Sequence, residues 1–213
     1  MHVFETPGDV SLHVRLPSGS VVVTTADTPQ TTVEILARGR RGQDAVDEID
    51  VTLEERRGGH VVKIEQKDRF RWGPIQITWG GDFECRITCP PGSGLDLSGG
   101  STDLRADGDL GEVSARTASG DVRLSTVRGA LEVKTASGDV RVQSVSGDVR
   151  IGVGRGTRVW IDATSVSGTL DSELGLEDGA QDAESAESGV VPIQVKTVSG
   201  DVSIVRATTA APV

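Results

Sequence analysis

Gly111, Gly120, Gly129, Gly138 and Gly147 stand nine residues apart, and the residues between them repeat in the same frame. Val113, Val122, Leu131, Val140 and Val149 hold one offset from these glycines, and Ala115, Leu124, Val133, Val142 and Ile151 hold another. Thr117, Thr126, Thr135 and Ser144 form a hydroxyl column, followed by Ala118, Val127, Ala136 and Val145. A short unit of this kind cannot bury its apolar side alone, so a fixed register over several units predicts that they stack.

Each unit reads as a strand with a turn attached. Glycine supplies a residue tolerant of positive φ, and the aspartate after it can hydrogen-bond back to the turn backbone. The residues that follow alternate, placing Val122, Val140 and Val149 inward. Asp121 and Arg123, Asp139 and Arg141, and Asp148 and Arg150 are spaced by two and share the solvent side, where they can compensate one another. Residues 111–128 match the chain shifted by nine at 5 of 18 positions, by eighteen at 9 and by twenty-seven at 8. Nine is therefore the structural unit, and coils of two or of three units both remain open.

The rest of the chain supports an all-β class. Twenty-seven glycines, eight prolines and many Val, Ile and Thr, with no run of period 3.6, favour short strands and tight turns. Residues 1–92 read as an irregular antiparallel β region, with strand-like runs such as "SLHVRL", "TTVEILAR", "HVVKIEQ" and "FECRIT" and turn chemistry at "RRGG" and "WGGD". Only "GQDAVDEI" could support a helical turn or two. Residues 93–205 carry the solenoid repeats. An insertion at 171–191, read as a mobile surface loop because its composition is acidic and small, interrupts them. The pattern resumes in "IQVKTVSGDVSI", whose first ten residues match "LEVKTASGDV" at seven positions, and residues 206–213 read as a frayed tail. The expected fold is an antiparallel N-terminal cap continuing into a parallel β-solenoid, β-helix or β-roll-like, of nine-residue strand-turn units; the alternative is a β-sandwich.

Charge and cysteine content narrow the function. The net charge is −10, and seven acidic residues from Asp171 to Glu187 lie in a segment without Lys or Arg. An acidic chain without a basic stripe repels phosphate, so no nucleic-acid partner is expected. The N-terminus lacks a basic n-region and an apolar h-region, and no apolar run approaches the roughly 20 residues needed to span a bilayer. A cytoplasmic location is the expectation from these features. Cys85 and Cys89 are four apart in a predicted strand, about 13 Å at roughly 3.3 Å per residue, too far to bridge each other. Buried thiols are the expected reading.

The "SGDV" units at 119–122, 137–140, 146–149 and 199–202, introduced by "CPPGSGLDLS" and preceded by a less regular β region, resemble the bacterial family of β-strand-repeat proteins of unknown function classed as putative adhesins. The resemblance spans most of the chain. It implies a β-repeat fold and, by analogy with surface β-helix proteins, a glycan or cell-envelope ligand and a surface location; it brings no catalytic motif.

Three chemical readings compete with architecture. A calcium β-roll packs several glycines and an aspartate into each turn; here the extra glycines are missing and an arginine follows each aspartate by two. The three histidines, His2, His13 and His60, neighbour no nucleophile motif. The aromatics Phe70, Trp72, Trp79 and Phe83 crowd one segment, where they are expected to plug the irregular cap, leaving Trp160 alone in the repeats. The sequence thus nominates no catalytic, cofactor-binding or metal-binding residue. It indicates a non-enzymatic scaffold or protein-interaction module with an unknown protein partner. At the C-terminal edge, "IQVKTVSGDVSIV" is expected either to pair two chains into a homodimer or to be covered by the acidic insertion.

The alternation generates the first prediction. Val140→Asp should cost on the order of 4 kcal/mol by placing an unpaired carboxylate in the core, whereas Arg141→Ser should change stability by less than about 1 kcal/mol. Equal denaturation midpoints for the two variants would refute the register.

Overall fold

The structure is a computed structural model that describes residues 1–37, 46, 48–56, 58–67, 83–154, 157–174 and 190–206. Two long strands set the architecture. β2 (Val10–Thr25) buries Val10, Leu12, Val14 and Leu16, then switches parity and buries Val21 and Val23. A flat strand would send those two sets to opposite faces, yet all six residues join one core cluster. The chain therefore rounds a corner at Pro17–Ser20 and keeps the same interior on its inner side. β7 (Gly94–Leu110) does the same, burying Leu95 and Leu97 before the corner and Leu104 and Ala106 after it. The two strands pair in parallel along nearly their whole length.

Each later coil splits into two strands at that corner. β8 (Val113–Ser119) and β9 (Val122–Val127) form one coil, and β10 (Leu131–Ser137) and β11 (Val140–Ser144) the next. β12 (Val149–Val153) begins another. Leu131 pairs with Val113 and with Val149, eighteen residues away on either side, which settles the coil at two units. Two layers result, joined through the bent strands. The first runs β2, β7, β8, β10, β12 and the second β2, β7, β9, β11, both parallel. Between them lie the columns expected from the sequence: Val113, Val122, Leu131, Val140 and Val149 are each 1% exposed or less. The hydroxyl column is also buried at Thr117, Thr135 and Ser144, which donate to turn carbonyls. Thr126 leaves it, because a bulge sets Val127 opposite Ser144.

The N-terminal region departs from the antiparallel expectation, since the solenoid already starts at Val10. β5 (Gly59–Gln66) and β6 (Phe83–Cys89) stack in parallel on the two halves of β2. Only the outermost strands are antiparallel: β4 (Ile49–Arg56) on β5, β3 (Gln30–Ala37) on β6, and β1 (His2–Glu5) on β3. The segments 42–45, 68–82 and 175–189, and with them most of the helical-turn candidate, Phe70, Trp72, Trp79 and most of the acidic insertion, lie outside the described residues. So do residues 207–213, but Arg206 is not part of a frayed tail. It ends a strand, and its guanidinium donates to the carbonyls of Gly154 (3.1 Å) and Thr157 (2.8 Å).

The C-terminal strands enter out of order. β13 (Arg158–Ser167) and β14 (Leu170–Ser172) occupy the outermost row of each layer. β15 (Val190–Ser199) then inserts between β11 and β13, and β16 (Val202–Arg206) between β12 and β14. "IQVKTVSGDVSIV" is therefore interior to the stack, which corrects the expectation that it forms the edge. The edge is β13 with β14.

Turns stack as closely as strands. Gly147 has φ +97°, and a Cβ there would run into the carbonyl oxygen of Gly129 one coil away. Gly8, with φ +93°, has nothing within 4 Å of that position. Gly8→Ala should cost about 1 kcal/mol for backbone strain alone, and Gly147→Ala about 3 kcal/mol or more because the coils must also separate. Equal losses in urea denaturation would show that coil contact does not govern this position.

Candidate functional site

The eighteen-residue period decides which polar residues meet. On the outer face of the first layer, Asp96, Ser114, Glu132 and Arg150 are in register on successive strands, with His13 beside Asp96 and Lys63 beside His13. A shallow groove of about 520 Å³ runs along this row. Arg116 stands at its centre, 3.1 Å from Glu132 and 3.6 Å from Asp96, and Lys134 lies 2.8 Å from Glu132. These cations, Lys134 foremost, hold the Glu132 carboxyl below the ordinary carboxylate range. Asp96 Oδ1 and Ser114 Oγ are buried without a hydrogen-bond partner, the 3.6 Å ion pair being too long to count as one.

Histidine, carboxylate and serine thus share one groove, but in an order that does not make a nucleophile. His13 and Ser114 are separated by the strand carrying Asp96, about 9.6 Å at roughly 4.8 Å per strand. Proton abstraction needs the base within hydrogen-bond reach of the hydroxyl. The other histidines sit elsewhere: His2 stacks on Phe4 with ring centroids 6.3 Å apart, and His60 lies on β5 with its Nδ1 buried and without a partner.

The second layer presents a row of arginines. Arg105, Arg123 and Arg141 are in register, and each is neutralised by an aspartate on its own strand or turn: Asp107 at 2.8 Å, Asp121 at 2.8 Å and Asp139 at 3.2 Å. The aspartates do not cap their own turns as expected. Asp103 accepts the backbone N–H of Asp121, Asp121 that of Asp139, Asp148 that of Asp201, and Asp201 that of Thr169. That last bond holds the Asp201 carboxyl below its ordinary range. Each aspartate ties its turn to the next coil.

Cys85 and Cys89 are buried free thiols on one face of β6, as the four-residue spacing requires. Burial pushes the Cys85 thiol up to about 12, and it raises Cys89 as well, opposed there by a hydrogen bond with Ser93. Neither is activated as a nucleophile. Phe83 is fully buried against Gly19, in keeping with a plugging role, whereas Trp160 is 53% exposed on β13. Among the described residues, no three His, Cys, Asp or Glu side chains converge on a metal position. Within the same residues, no helix is long and apolar enough to cross a membrane. The groove row escaped the sequence reading because two coil lengths were open; once eighteen is fixed, 96, 114, 132 and 150 follow by counting.

A parallel two-layer stack with neutralised outer rows defines a β-solenoid repeat protein. The chain belongs to the Toastrack DUF4097 family, whose model matches residues 8–205. No curated protein matches it. It is similar to a solved putative cell adhesion protein from Clostridium sporogenes, 12% identical over 97% of this chain and 98% of that one, with a TM-score of 0.43. It is also similar to a putative adhesin from Bacteroides fragilis, 14% identical over 95% of each chain with a TM-score of 0.34. A putative lipid binding protein from Parabacteroides distasonis is 7% identical over 97% and 96%, with a TM-score of 0.29.

The aspartates generate the third prediction. The carboxylates of Asp103, Asp121, Asp148 and Asp201 already accept backbone N–H groups, and Asp121 also pairs with Arg123, so millimolar calcium should leave the melting temperature unchanged. An upward shift reversed by chelator would overturn this assignment.

Proposed function

We propose that the chain is a non-enzymatic β-repeat scaffold and that the groove along Asp96, Ser114 and Glu132 is where it holds a protein partner. The observation that carries this reading is the pair Asp96 Oδ1 and Ser114 Oγ, neighbouring polar atoms without a hydrogen-bond partner beside the Arg116–Glu132 ion pair. A flat layer with fixed hydrogen-bonding groups offers surface and register without a base placed beside a nucleophile. The free thiols suit a reducing, cytoplasmic compartment, where structural disulfides are rare. A second reading, an adhesin-like glycan or cell-envelope binder, is favoured by the same two atoms, since neighbouring sugar hydroxyls could satisfy both.

Ser114→Tyr, on the outer side of β8, blocks the groove while leaving the core columns intact. Immobilised wild type should retain a discrete protein from native cells that the variant loses by about tenfold or more, with unchanged melting temperature. A glycan-array signal present in wild type and lost in Ser114→Tyr would select the second reading. Equal retention of every species by both forms would remove the groove from either.

A further inference from the structure

Four strands bound the stack among the described residues, and three of them are blunted. β1 is four residues long, β14 three, and β4 carries Asp50, Glu54, Glu55 and Arg56 along its eight. Short or charged edges resist pairing with another chain. β13 has ten residues and only two charges, Arg158 and Asp162, and among the described strands it pairs with β15 alone. Its inward residues Val159, Ile161 and Ala163 are half-buried, whereas their neighbours Val191, Ile193 and Val195 on β15 are buried. Leu170, aligned with the buried Val202, is 52% exposed. The exposed Trp160 and Val166 complete an apolar end to the solenoid.

We propose that this end docks a second copy of the chain, the two β13 strands pairing antiparallel about a twofold axis at Trp160. Residues directly opposite in an antiparallel pair point to the same side. With the axis at Trp160, the two tryptophans meet on the outer face, and Arg158 of each copy faces Asp162 of the other. On the inner face, Val159 of each copy meets Ile161 of the other, extending the core across the junction. Moving the axis one residue either way sets each of Arg158 and Asp162 against an uncharged residue or beyond the strand. The charge pattern of β13 is therefore complementary to itself in one register. Self-complementarity of this kind is what a closed twofold interface requires, and a dimer that pairs these edges leaves no further copy to add.

Sedimentation velocity and light scattering on the full chain at micromolar concentration test this. Wild type should be a dimer. Asp162→Arg and Arg158→Asp should each raise the dimer dissociation constant by about tenfold or more, because like charges then face each other. The double variant R158D/D162R should restore the wild-type value, and circular dichroism melts should show all three variants folded. A monomeric wild type would overturn the proposal and leave the end to be covered within one chain or by another protein. A dimer unmoved by the single changes, or not restored by the double one, would overturn this register.

Discussion

Coil-to-coil backbone contact at the turns is the constraint on which the structure depends. Gly92, Gly111, Gly129, Gly147, Gly200 and Gly168 follow one another along one corner, and from Gly111 onward a Cβ at each would press into the backbone of the glycine before it. Of these, Gly111 and Gly129 lack positive φ, so the demand there is room and not backbone conformation. Once the corners are held this close, the strands between them have no choice of register. Leu131 must meet Val113, and along β7, β8, β10 and β12 each inward side chain meets its counterpart eighteen residues away. Removing a methyl-sized space at a corner therefore acts on two whole layers.

The same constraint builds the outer surface. Fixed register aligns arginine with arginine on the second layer, an arrangement of like charges that would repel if left alone. It persists because each guanidinium has a carboxylate of its own within 3.2 Å. The aspartates serve both needs at once: Asp121 neutralises Arg123 and also accepts the N–H of Asp139. Electrostatic compensation runs along the strand while the hydrogen bond runs between coils. On the first layer, Asp96 and Ser114 are aligned as strictly, but Asp96 Oδ1 and Ser114 Oγ are left without a hydrogen-bond partner.

Much of this was legible before the structure. In/out alternation is a local property, and Val122, Val140, Val149 and their partners are buried where the nine-residue frame places them. That Cys85 and Cys89 stay unbridged on one face followed from their spacing along one strand. What local pattern could not carry was any decision made between distant segments. The parity switch in β2, from Leu16 inward to Val21 inward, is written in the sequence, but "PSGS" reads equally well as a hairpin turn or as a solenoid corner. A hairpin there would be antiparallel, and only the parallel pairing of β2 with β5, β6 and β7 distinguishes the two. The groove was hidden for a related reason: its row exists only when the coil has two units.

The order of the last strands shows how far this local degeneracy extends. "IQVKT" in β15 matches "LEVKT" in β10 at three of five positions, yet β10 lies in the first layer and β15 in the second, beside β11. Every nine-residue unit asks for the same alternation and the same turn, so a unit fits either layer and any row. Its sequence does not say which. Placement is then decided by what the chain can reach and by which rows are still open. β13 pairs only with β15, and β14 only with β16, among the described strands. Among the described strands, the outermost row is thus paired to the body through β15 and β16, which follow it in the sequence, at a separation that local propensity does not encode. The strand that carries Trp160 gains its described pairing only when β15 has formed, which ties formation of that surface to a strand more than twenty residues further along the sequence.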